Sequence, residues 1–355
     1  MHRRFDAPIP TFPRKRGKGK KFPSPACGGG LGRGLLQSLL MLAAANLSVA
    51  HAADPAKDYP NRPVRMIMPN APGSSNDTLG RILAIRLGEA LGQQFVIDNR
   101  AGAGGVVGME IGKNATPDGY TLIVSSAGAM SVAPHIYMKL PYDPLRDFEF
   151  IALFLDTPNV LVVNPALPVK NVRELIDYAK AKQGELNMAS AGAGSQSHLT
   201  GYALMLAAGF SSVHVPYKGG GPSVAAIIAG ESQWTLPPAA AVMTLVRSGR
   251  LRALGHTLPQ RSPLLGDMPA IAETVPGFTS TGWKGLLAPK GTPKSILDKL
   301  HATVNKVVTT KEAKDQFGLQ GCEVVTGTPE QFRKLVQKDI AESAKVVKAA
   351  GLKVE

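Results

Sequence analysis

The chain has 355 residues, 44% of them apolar and 19% charged, with 38 Gly, 28 Pro and two Cys. That composition excludes fibrous and disordered classes, a disulfide scaffold and a four-thiolate zinc site, and the apolar runs are too short for a polytopic membrane protein. The formal net charge of +14 is uneven: residues 1–52 hold nine Lys/Arg against Asp6 alone, a net +8, and the other 303 residues carry only +6. Most of the basicity is therefore a tail, and the body has no Lys/Arg stripe interleaved with aromatics that would track nucleic acid.

In chain order that tail comes first. Between Arg33 and Asp54 no residue is charged, and the interval holds Leu35-Leu36 and Leu39-Leu40-Met41-Leu42 before ending in Ala50-His51-Ala52. A basic n-region, a short apolar h-region and an A-x-A site predict a signal peptide cleaved after Ala52, hence export to the periplasm. The thirty residues ahead of Leu31 exceed an ordinary n-region, and a translation start assigned too early is the expected explanation. Cys27 precedes the apolar run and so is no lipid acceptor, which leaves Cys322 as a lone thiol expected to behave as a small buried hydrophobe.

Beyond the signal, strand and helix patterns alternate. Strands are predicted over 64–68, 95–98 and 121–125, each followed by a small-residue loop and a helix near 79–91, 106–113 and 132–139. A second set pairs strands over 160–163, 186–190, 213–215, 234–236 and 251–256 with helices over 172–181, 197–208, 222–228 and 239–247. Asn171 with Glu174 three residues on forms a capping box. A strand over 283–288 and helices over 293–308 and 329–349, both introduced by Thr-Pro, close the chain. Two α/β units with returning C-terminal helices predict two lobes and a cleft.

In parallel α/β sheets, ligands bind beyond the carboxyl ends of strands, where loops meet helix N-termini. Three loops qualify: 73–77 with Ser74, Ser75, Asn76 and Asp77; 125–128 with Ser125 and Ser126; and 191–198 with Ala193, Gly194, Ser195, Ser197 and His198. Small residues let backbone N–H groups approach an anion, hydroxyls add donors, and the following helix adds a positive dipole end. The same composition also serves ordinary capping. Asp77 fits a cap or loop clamp better than a base, and His198 fits an orienting partner better than a catalyst.

Catalytic patterns are poor. Gly102 to Gly108 misses the G-x-G-x-x-G spacing, Ser195 lacks a nucleophile elbow, Ser197 and His198 are adjacent, and no two histidines have metal-ligand spacing. The expectation is no catalytic residue, no metal and no cofactor. A Ser/His hydrolase using Ser195 or Ser197 with His198, and a sensory binding protein, stay open as rivals.

At these loops the sequence resembles the Bug proteins, the TctC-like extracytoplasmic solute receptors of tripartite tricarboxylate transporters. Landmarks include Tyr59-Pro60-Asn61-Arg62-Pro63, Asp98-Asn99-Arg100-Ala101-Gly102, Pro117-Asp118-Gly119-Tyr120, Ala191-Gly192-Ala193-Gly194-Ser195, His214-Val215-Pro216-Tyr217-Lys218-Gly219 and Gly285-Leu286-Leu287-Ala288-Pro289. The resemblance implies a two-lobed periplasmic binding protein of type II-like α/β fold, each lobe a mainly parallel sheet flanked by helices. The lobes are expected at 56–157 plus 281–355 and at 158–280, with a hinge of two crossover strands near 151–155 and 282–288. It further implies a monomer that captures a small carboxylate and hands it to inner-membrane permease subunits.

Two departures from the family pattern bear on the ligand. Ser74 stands where a second glycine is usual, adding a hydroxyl and narrowing the loop. Past Glu231, where acids able to face an amino-acid ammonium are usual, the chain reads Ser232-Gln233-Trp234-Thr235-Leu236. Thr235 is the candidate ligand contact there, Trp234 fits the core, and the ligand is expected to lack a positive amine, since a desolvated ammonium without a counter-ion is costly.

Overall fold

The computed structural model describes residues 54–182 and 184–349. The expected signal peptide, its cleavage site and Cys27 lie outside the described residues. The strand β1 (Val64–Met68) leads through a tight loop into helix α1 (Ser75–Leu91), followed by β2 (Phe95–Asn99), α2 (Val106–Lys113), β3 (Thr121–Ser126) and the short α3 (Ala133–Ile136). A long strand β4 (Phe148–Pro158) then runs almost directly into β5 (Val160–Val163). Next come α4 (Val172–Ala181), β6 (Asn187–Ser190), α5 (Gln196–Ala208), β7 (Val213–Pro216), α6 (Gly220–Ala229), β8 (Trp234–Thr235), α7 (Met243–Arg247) and β9 (Arg252–His256). The chain returns through β10 (Thr281–Pro289), α8 (Lys294–Val308), α9 (Lys311–Leu319), β11 (Glu323–Val324) and α10 (Pro329–Ala349).

These strands form two sheets, one of six strands in the order β11-β4-β10-β3-β1-β2 and one of five in the order β7-β6-β8-β5-β9. The result is a two-lobed α/β fold. Both sheets are mixed, where mainly parallel ones were expected. Among the named strands, parallel pairing is confined to β1 with β2 and β3, and to β6 with β7 and β8. The strands that carry the chain from one sheet to the other run antiparallel to their neighbours: β10 pairs β4 along its whole length, and β5 pairs both β8 and β9. A chain that leaves a sheet and later returns beside its own exit strand comes back in the opposite direction, and hydrophobic patterning carries no record of that sense.

Alternation on the central strands explains the packing. Met66 and Met68 enter one core with Leu79, Leu83 and Leu122, while Ile67 enters another with Met109, Ile123 and Phe332. Helices cover both faces, so β1 reads as a nearly continuous apolar run. In the second sheet Trp234 is fully buried against Phe210 and donates from its indole nitrogen to Ser212 Oγ at 3.0 Å, the core fate expected of it. Cys322 is buried in the first core, and burial pushes its thiol up to about 12, which keeps it protonated.

Three elements differ from the expected boundaries. The segment expected as a helix over 132–139 is a π-helical turn, Gly128–Val132, followed by only one helical turn, and Tyr137 is already extended (φ −101°, ψ 124°). The helix expected over 239–247 breaks at Val242, where φ is −131°. The polar helix α9 was not anticipated.

Candidate functional site

The first loop is built around Asp77. Ser74 is the N-cap of α1, its Oγ accepting from the Asp77 backbone N–H at 3.3 Å. The Asp77 carboxylate turns back on the loop and accepts from Gly73 N–H at 2.9 Å, Asn99 Nδ2 at 3.0 Å and Arg81 Nε at 3.0 Å. Burial pushes this carboxyl up, but the hydrogen bonds from Arg81, Gly73 and Asn99 outweigh it and hold the group below its usual range. Asp77 is thus a clamp whose lone pairs are spent on its own loop, as the sequence indicated. Asn76 Nδ2 donates to Val124 O at 3.3 Å and ties the helix start to the end of β3.

The second loop repeats the cap with different support. Ser195 is the N-cap of α5, its Oγ accepting from His198 N–H at 3.3 Å. Ser197 Oγ accepts from Ala191 N–H at 3.0 Å, and His198 Nδ1 accepts from Gly194 N–H at 3.1 Å. The His198 ring stacks on His214 at 3.9 Å, and His214 Nε2 lies 2.6 Å from Ser190 Oγ. Burial drives the His198 pKa down to about 3, with the neighbouring His214 adding to the effect, and burial takes His214 to about 4. Both rings are neutral at ordinary pH, consistent with Nδ1 of His198 acting as an acceptor.

The two loops meet across one small cavity of about 50 Å³. Ser74, Ser75 and Asn76 from the start of α1 line it, together with Ser195, Gln196 and Ser197 from the start of α5 and Gly220 from the start of α6. Three helix N-termini, drawn from both lobes, therefore converge on a space that holds roughly three to five water-sized groups. Two lining polar atoms, Ser75 Oγ and Gln196 Oε1, are buried without a hydrogen-bond partner. Asp and Glu are absent from the wall, and the one charged lining residue is Lys284.

Lys284 projects from β10, where it pairs in register with Ser126 of β3 and Leu155 of β4. It is 2% exposed and makes no ion pair among the described residues. Burial lowers its pKa to about 8.

The loops approach main chain to main chain. A Cβ on Gly221 would lie 2.2 Å from Pro72 O, and one on Gly104, itself at φ +63°, would lie 2.8 Å from Ala193 O. Only glycine permits either contact.

Of the residues expected at the site, Ser74, Ser75, Asn76, Ser126, Ser195 and Ser197 line the cavity. The others stand off its wall. Ser125 points into the core, 3.5 Å from Met109 Sδ, and Thr235 Oγ1 donates to Ala189 O at 2.8 Å. Asp77 and His198 brace their loops from behind, Gly194 supplies the His198 contact, and Ala193 offers its carbonyl to Tyr137 Oη at 3.3 Å. Sequence reasoning missed Gln196, Gly220, Pro237, Pro238 and above all Lys284, a lone charge inside the apolar run 283–288.

The Ser190–His214 contact is the closest serine–histidine pair among the described residues, yet Ser190 is fully buried and off the cavity wall. No group of three or more His, Cys, Asp or Glu side chains placed to hold a metal occurs among the described residues.

Comparison with known proteins bears on the family and the fold. The family model described as "Tripartite tricarboxylate transporter family receptor" matches residues 79–352. Protein BugT of Bordetella pertussis is 36% identical over 318 residues, covering 89% of this chain and 97% of BugT. The solved structure of the periplasmic binding protein BugD superposes with a TM-score of 0.80 at 32% identity, covering 84% of this chain and all of that one. An R. palustris protein solved with adipate superposes with a TM-score of 0.82 at 33% identity, again over 84% of this chain and all of that one. Capped loops, mixed sheets and these likenesses together make the chain a member of the tripartite tricarboxylate transporter receptor family, built on the periplasmic binding protein fold.

Proposed function

We propose that the protein is a periplasmic receptor that closes on a small carboxylate and presents it to inner-membrane permease subunits of a tripartite tricarboxylate transporter. The observation that carries this reading is the cavity wall: helix N-termini from both lobes converge on it and its one charged residue is a cation. Backbone N–H groups at helix starts stabilise an anion, and a wall without acids adds no repulsion. Adipate in the structure of the R. palustris relative is a ligand of the same chemistry. Lobes at 56–157 plus 281–355 and at 158–280 would swing about the strands near 151–155 and 282–288, ligand binding shifting the population toward the closed form.

A wall without Asp or Glu also supports a ligand that lacks an ammonium group. Titration calorimetry of the purified protein against mono-, di- and tricarboxylates tests both parts. Binding of at least one acid is expected, with succinate preferred over aspartate. Failure of every acid at millimolar concentration would overturn the carboxylate reading, and tighter binding of aspartate would overturn the claim about the amine.

A further inference from the structure

We infer that Lys284 is a specificity-determining residue of this receptor: its ammonium holds a second carboxylate of the ligand, apart from the one taken by the N-termini of α5 and α6, so that the protein selects dianions over monoanions. The inference rests on the carboxylate reading above and goes beyond it in naming the residue and the charge of the ligand.

A lysine with its charge in the protein interior normally has an acid beside it, because desolvating an ammonium costs several kcal/mol that only a counter-ion or strong hydrogen bonds offset. Lys284 is 2% exposed and has neither an ion pair nor a side-chain hydrogen bond among the described residues. The carboxylates paired or bonded to the preceding residue of its strand belong to the other face. Trp283, the residue before it, pairs with Asp156 and donates to Asp339 Oδ2 at 2.6 Å, whereas Lys284 lies in register with Leu155 and Ser126 on the cavity side. The titratable group that influences it is the Cys322 thiol, which burial keeps protonated and therefore neutral, so it is no counter-ion.

What Lys284 does face is the cavity it lines, together with Ser126 and the unpartnered Ser75 hydroxyl. The ammonium and the Ser75 hydroxyl, both on the cavity wall, suit one carboxylate, and the amides at the starts of α5 and α6 suit another. An unpaired lysine in an apolar strand also weakens the fold, and its burial pulls its pKa down to about 8, still leaving it mostly cationic at neutral pH. Its presence there is explained by a ligand that brings the missing charge.

The test compares succinate, glutarate and adipate with butyrate, valerate and hexanoate, chain length for chain length, by calorimetry on the wild-type protein and on Lys284→Met and Lys284→Gln. In the wild type the best diacid is expected to bind at least tenfold more tightly than its matched monoacid. In Lys284→Met that diacid is expected to lose about thirtyfold or more, the usual cost of removing one partner of a buried charge pair. The monoacids are expected to change by less than about threefold, and the variant without added acid is expected to melt higher than wild type. Equal wild-type affinities for diacid and monoacid would overturn the inference while leaving the carboxylate reading intact. So would an unchanged diacid preference in the variants, or an equal loss for both classes, which would place a single carboxylate on Lys284. If Lys284→Met does not fold, Lys284→Gln and the wild-type ratio still decide. Absence of binding by any acid would instead remove the carboxylate reading and this inference with it.

Discussion

The two loops that face each other across the cavity share a cap and differ in what stands behind it. Each begins its helix with a serine whose Oγ accepts from the N–H three residues on, Ser74 to Asp77 and Ser195 to His198. Behind the first stands a carboxylate with a fixed charge, Asp77, tied to Arg81 and Asn99. Behind the second stand neutral imidazoles, His198 and His214, wired to Gly194 and Ser190. The comparison teaches that one cavity wall is secured by two chemistries with separate pH windows. The second loop is strained by acid first. Its histidines have folded pKa values below the ordinary 6.5, so their contribution is whole above about 6.5 and is lost as pH falls toward 4. Asp77 is held below its ordinary 3.8, so its contribution survives until pH falls below about 4.

Four experiments break or sharpen that contrast. The largest effect is expected from Asp77→Ala, which strands the Gly73 N–H and leaves Asn99 Nδ2 with Asn70 O as its one remaining acceptor; urea denaturation should show a loss of about 2–4 kcal/mol. Next comes acidification. Between pH 6.5 and 5 stability should fall by up to about 2 kcal/mol through the well-buried His198, with a smaller share from the half-buried His214. The slope should flatten in His198→Asn, and a slope unchanged by that substitution would end the assignment of the acid window to the second loop. Third, Gly221→Ala places a methyl against Pro72 O, and affinity for the bound acid should drop by about tenfold with little change in melting, since alanine favours the helix it enters. Smallest is Ser75→Ala. Its hydroxyl lacks a partner within the protein, so affinity should fall by about two- to fivefold and urea stability should hold within about 0.5 kcal/mol.

Much of the fold was legible because period and caps coincide. The strand Val64–Met68 and the helix Val172–Ala181 fall where the patterns place them, since apolar alternation and the Asn171 cap agree. What escaped depends on distant partners. The antiparallel sense of β10 against β4 is a property of the 122 residues between Pro158 and Thr281, and the helix α9 is too polar to show a face. The site divided in the same way. The small-residue loops announced Ser74, Ser75, Asn76, Ser195 and Ser197, whereas Gln196 and Gly220 reach the wall only because the loops meet there. Thr235 was expected to face the ligand, but β8 turns its hydroxyl onto Ala189 O. Lys284 did leave a trace, one charge between Trp283 and Gly285 in the apolar run 283–288.

The bare approach of Gly221 to Pro72 and of Gly104 to Ala193 has a mechanical meaning. At those two points nothing but peptide planes sets the separation of the loops, so a residue larger than glycine would act as a spacer and hold them apart.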